Sequence, residues 1–71
     1  MKLRDLSEGQ KFKFANGNNK LYEKTSNNGD IATYNSCLCI DDLLPEERRG
    51  LMIIASWKYK RMDKYADVIL V

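Results

Sequence analysis

The feature that most constrains the fold of this chain is a short alternation followed by a turn. Lys11-Phe12-Lys13-Phe14 puts charge and aromatic on opposite sides of an extended backbone, the period-two pattern of a half-buried strand. Asn16-Gly17-Asn18-Asn19 follows at once, and these residue types take the backbone conformations of a tight turn. Lys20 to Thr25 supplies the returning strand. A second turn cluster, Asn27-Asn28-Gly29-Asp30, leads into Ile31-Ala32-Thr33-Tyr34-Asn35, rich in β-branched and aromatic residues. Three strands in meander order are expected over the first half. Residues 36–40 extend this β region or begin a short strand of their own.

The pattern changes after Ile40. Pro45 suits the first turn of a helix, Glu46 and Glu47 its N-terminal end, and Arg48 and Arg49 its C-terminal end. Gly50 then stops it. One short helical turn near residues 45–49, or a charged loop, is the expectation. Leu51 to Tyr59 is the longest apolar stretch. At period two, Leu51, Ile53, Ala55, Trp57 and Tyr59 share one face, and Met52, Ile54, Ser56, Lys58 and Lys60 the other. This predicts a strand buried on both sides at its start, with Trp57 and Tyr59 in the core and Lys58 and Lys60 outside. Residues 61–65 read as a connection. Ala66-Asp67-Val68-Ile69-Leu70-Val71 reads as a last strand that must pair or pack, since a bare edge this apolar invites aggregation. The expected fold class is mostly β: one small domain over residues 1–71, either a small barrel or a strongly bent antiparallel sheet of about five strands. The lead-in, Leu3 to Gln10, brings two leucines that can plug one end of the core.

Seventy-one residues bury only about 60% of the surface exposed on unfolding, so the core is small. That favours a binding surface over a deep catalytic cleft. At 44% hydrophobic and 31% charged the composition is that of a folded protein rather than a disordered one. No apolar run approaches the roughly 20 residues that span a bilayer, and no apolar signal core follows Lys2 and Arg4. The chain reads as cytoplasmic, with no membrane partner. Cys37 and Cys39 stand one residue apart, a spacing unsuited to a direct disulfide on a strand and in keeping with a reducing compartment.

Chemistry is restricted by what the chain lacks. It has no histidine, so no Ser-His-Asp or Cys-His arrangement can form within it. The acid pairs Asp41/Asp42 and Glu46/Glu47 read as a solvated acidic loop, whose charge the following basic segment can neutralise across a turn. Two cysteines fall short of the four ligands of a structural zinc site, which would then need two chains. They read instead as small buried hydrophobes. The four glycines show no phosphate-loop spacing, and no cofactor is expected.

The candidate binding residues are the cations Arg48, Arg49, Lys58, Lys60, Arg61 and Lys64. Trp57-Lys58-Tyr59-Lys60-Arg61 interleaves aromatics with bases, as proteins that bind single-stranded nucleic acid or a nucleotide do. Against that stands the alternation, which sends both aromatics into the core, where they cannot stack on a ligand. Trp, Tyr and Arg are also the residue types enriched at protein interfaces. A protein partner is therefore the first expectation and nucleic acid the second. A homo-oligomer through an exposed edge strand remains open.

Leu3, Asp5, Leu6, Gly9, Phe12 and Phe14 form the pattern L-x-D-L-x-x-G-x-x-F-x-F, with Leu21-Tyr22 after the Asn/Gly turn and a valine-rich end. This resembles the opening of small proteins encoded by bacteriophages and their bacterial hosts, which are similar to SH3-like barrels. The resemblance covers about the first third and the last few residues; from Cys37 to Lys64 the chain departs from it with an acidic, insertion-like loop. It implies an SH3-like barrel and a phage-type accessory or anti-defence factor that binds a host protein stoichiometrically. Its motif carries turn and core residues and no catalytic group.

Overall fold

The computed structural model describes residues 1–25 and 33–71. The turn expected at Asn27-Asn28-Gly29-Asp30 and the start of the third strand lie outside these residues. The fold is mostly β, a five-stranded antiparallel sheet in the order β4-β3-β2-β1-β5. Its strands are β1 (Lys11–Phe14), β2 (Tyr22–Lys24), β3 (Tyr34–Cys39), β4 (Tyr59–Asp63) and β5 (Val68–Leu70). The last strand pairs with the first, Phe12 opposite Leu70 and Phe14 opposite Val68. Among the described residues no pairing joins β4 to β5, so the sheet is open at that seam.

The alternation in β1 sets the core. Phe12 is fully buried and Phe14 packs against the same cluster, while Lys11 is exposed and Lys13 half-buried. Phe12 lies opposite Tyr22, Tyr22 opposite Cys39, and Lys24 opposite Cys37, which carries the core face across three strands. Phe12, Phe14 and Tyr22 meet in edge and stacked contacts with ring centroids 4.9 to 5.8 Å apart. Such ring pairs add about 0.5–1.5 kcal/mol each beyond the area they bury. Gly17 allows the chain to turn tightly after β1, because a Cβ there would sit 2.7 Å from that of Phe14.

The lead-in plugs the core as its leucines suggest. A 3-10 helix, Leu3–Asp5, opens with the Lys2 N–H donating to the Asp5 carboxylate at 3.0 Å, and Leu3 and Leu6 are both buried. The Lys24 ammonium closes this plug from inside. It is 3% exposed and donates to the carbonyls of Leu3 (3.2 Å) and Leu6 (2.9 Å).

A 3-10 helix over Ile40–Asp42 ends β3, and the short helix α1 (Pro45–Arg48) follows, with Gly50 at φ +76° closing it as expected. The fourth strand differs from its expectation. Residues 51–55 form no strand, a 3-10 helix runs over Ser56–Lys58, and β4 occupies much of the stretch read as a connection. The reason is non-local. β3 pairs Leu38 with Tyr59 and Cys37 with Lys60, then turns away at Ile40, so residues before Tyr59 find no ladder to join. No helix among the described residues is long and apolar enough to cross a membrane.

Candidate functional site

The segment that fails to join the sheet is the most exposed apolar stretch among the described residues. Ile53 is 95% exposed, Trp57 76% and Leu51 71%; Met52 and, on the approach to α1, Leu44 are exposed as well. Trp57 is therefore a surface residue and not part of the core, and Tyr59, opposite Leu38 at the start of β4, is exposed too, both contrary to the period-two reading. Ile54 and Ala55 are half-buried. Ile54 and Tyr59 line a cleft of about 490 Å³ with Leu38, Ser36 and Glu23 on the sheet and Thr25 just beyond β2.

Two anchors hold this segment. At its start, Leu51 N–H donates to the Glu46 carbonyl at 2.8 Å and Gly50 N–H to that of Glu47 at 3.2 Å. At its end, the Lys58 ammonium donates to Glu47 Oε1 at 2.6 Å, with side-chain exposures of only 18% and 3%. Glu47 Oε1 also accepts the Leu44 N–H at 2.9 Å. These donors, Lys58 first, lower the Glu47 carboxyl below its ordinary value. Glu47 and Lys58 thus depart from the sequence reading. Glu46 is solvated, but Glu47 is buried and paired, and Lys58 is half-buried beneath Trp57 instead of pointing outward. The expected neutralisation of the acidic segment by the basic one takes this form.

Beyond the ion pair, Trp57, Lys58 and Lys60 line a second cleft, of about 300 Å³, with Cys39, Asp42 and Leu43. The Lys58 ammonium sits 5.4 Å from the Trp57 ring centroid, a cation–π contact. Asp42 pairs with Lys20 at 2.9 Å, and this hydrogen bond is the largest cause of its lowered pKa. Asp41 is also engaged, accepting the Leu21 N–H at 2.9 Å.

The six candidate cations do not form one patch of free charge. Lys58 is neutralised by Glu47, Arg48 donates to the Asp41 carbonyl at 3.3 Å, and Lys64 lies 5.2 Å from the Tyr65 ring centroid. Lys60 and Arg61 are exposed on β4 and enter no ion pair among the described residues; Arg49 is exposed beyond α1. The cysteines are both buried in the core face of β3. Burial first, and then the neighbouring Cys39, push the Cys37 thiol up to about 12. Among the described residues no three His, Cys, Asp or Glu side chains gather as a metal would need.

Sequence reasoning missed Leu51, Met52, Ile53 and Trp57 as surface residues. The sequence carried no local signal for this, because residues 51–54 are apolar at both parities, a pattern that equally fits a strand buried on both sides. Comparison with protein-family models, curated proteins and solved structures finds no match to this chain.

Proposed function

We propose that this chain is a non-enzymatic binding protein that docks a protein partner stoichiometrically on residues 51–57, with Trp57 as anchor. The observation that carries this reading is the exposure of the consecutive Leu51, Met52 and Ile53, and of Trp57 four residues on, within one pinned segment. Contiguous apolar surface of this kind marks interaction sites, and buried Trp anchors dominate the energy of such interfaces. The opening motif supports a phage-type accessory or anti-defence role in which the partner is a host protein met in the cytoplasm. The pairing of β5 with β1 is compatible with an SH3-like barrel whose seam lies between β4 and β5.

Affinity capture from bacterial lysate tests this reading. The chain at micromolar concentration retains a specific protein near equal stoichiometry, and the Ile53→Asp and Trp57→Ala variants weaken capture about thirtyfold, the ~2 kcal/mol of an interface anchor. Absence of any specific protein, or capture indifferent to both variants, removes the proposal.

A second reading draws on the same Trp57. An exposed indole that lines one cleft with Lys60 could stack a base of single-stranded nucleic acid or a nucleotide while the lysine meets phosphate. It ranks below the first because a sugar–phosphate chain gives the aliphatic Leu51, Met52 and Ile53 nothing to pack against. Titration of Trp57 fluorescence with oligothymidylate at two salt concentrations decides it, since phosphate-driven binding weakens as salt rises.

A further inference from the structure

The sheet has two edges, and they are finished differently. The outer side of β5 is partly covered by the start of the chain. Val68 N–H donates to the Met1 carbonyl at 2.8 Å, Leu3 N–H to that of Ala66 at 3.0 Å, and Lys2 bridges Asp67. The outer side of β4 has no such cover among the described residues. Lys64 N–H donates to the Thr33 carbonyl at 3.1 Å, which sets the parity of the β3–β4 ladder. Lys60 and Met62 therefore exchange hydrogen bonds with β3, while the peptide groups of Tyr59, Arg61 and Asp63 face outward. Two of these outward groups are used locally: Tyr59 N–H meets the Ser56 carbonyl, and the Asp63 carbonyl accepts the Ala66 N–H. Among the described residues the Tyr59 carbonyl, both peptide groups of Arg61 and the Asp63 N–H have no main-chain partner and are left for another strand.

The side chains beside this edge say what kind of strand. Lys60 and Arg61 point to opposite faces of β4, both exposed and without an ion pair among the described residues. A second copy added antiparallel about Arg61 would set Arg61 against Arg61, and like charges directly opposite are destabilising. A segment with two successive acids would instead meet Arg61 on one face and Lys60 on the other. Its end nearest Tyr59 would run toward the exposed Trp57. We infer that the outer edge of β4 is a strand-addition site for an extended, acidic segment of a protein partner. This rests on the docking reading above and narrows it: main-chain pairing supplies affinity, and Lys60 and Arg61 supply selection.

The probe is a fluorescein-labelled peptide, Thr-Val-Thr-Glu-Glu-Val-Thr-Val-Thr, followed by fluorescence anisotropy. Its saturable binding is expected to fall at least about tenfold in the double variant Lys60→Glu/Arg61→Glu, and likewise in one of two peptides N-methylated at alternate residues. The version with Lys-Lys in place of Glu-Glu is expected to prefer the double variant, which an unfolded variant could not do. No saturable binding to the wild type overturns the inference. So does binding that survives both methylation patterns, because charge alone then explains it, or binding of oligothymidylate in place of the peptide. If Lys60→Glu/Arg61→Glu still captures the lysate protein while Trp57→Ala does not, strand addition falls and docking on residues 51–57 stands. If neither variant affects capture, the docking reading itself falls.

Discussion

At the residue scale, Lys24 does a job that its charge alone would not suggest. Its ammonium satisfies two main-chain carbonyls at the end of the Leu3–Asp5 turn and so fastens the lead-in to the sheet. Lys24→Met keeps the length and apolar stem but removes the donor to the Leu6 carbonyl and leaves the Leu3 carbonyl with the Leu6 N–H alone, at 3.2 Å. The variant is expected to lose about 2 kcal/mol, read as a lower urea midpoint with an unchanged slope. Cys37 makes the opposite point, a reactive group made inert. Only the thiolate attacks, and a thiol pushed up to about 12 in a fully buried site holds almost none of it at neutral pH. Mixed with a disulfide reagent near neutral pH, the folded protein should leave Cys37 unmodified until denaturant is added. Rapid modification without denaturant would contradict the described packing.

At the element scale, legibility followed locality. β1, the leucine plug, the Gly50 helix stop and β5 were readable because their signals lie within a few residues of the structure they specify. The position of β4 was not. Whether residues 51–57 become a strand depends on β3 ending at Cys39, and that turn is far away in sequence. A period-two count inspects one segment and cannot register the missing neighbour, so it sends Trp57 into a core that the side chain does not enter. The pinning of this segment by Glu47 and Lys58 gives it a pH signature. The Glu47 carboxyl is lowered in the folded state, so its stabilising contribution is complete above its unfolded value, about 4.3, and is lost as pH falls through the lowered one. Glu47→Gln should therefore flatten the fall in urea midpoint between about pH 7 and about pH 3, followed by Trp57 emission. Asp42 and Asp67 are lowered in the same direction by Lys20 and Lys2, so the variant keeps part of the slope. An unchanged slope would mean that the ion pair does not hold in solution.

At the scale of the whole molecule, one sheet carries two unlike borders. The β4 border is basic and displays peptide groups with no partner among the described residues, beside the apolar segment that ends in Trp57. The β5 border is apolar, with Ile69, Leu70 and Val71 exposed, and it relies on Met1 to Leu3 for cover. The Lys2–Asp67 pair at 2.6 Å that helps hold this cover is itself solvent-exposed, and such pairs contribute little to folding stability. Its importance lies in colloidal behaviour. Lifting the first residues away would bare an uncharged strand edge to solvent and to any neighbouring molecule, and bare edges of this kind promote strand-to-strand association. Lys2→Ala should leave the urea midpoint almost unmoved while shortening the lag before light scattering rises in a stirred, concentrated solution. A contact nearly silent at equilibrium would then govern how long the protein stays dispersed.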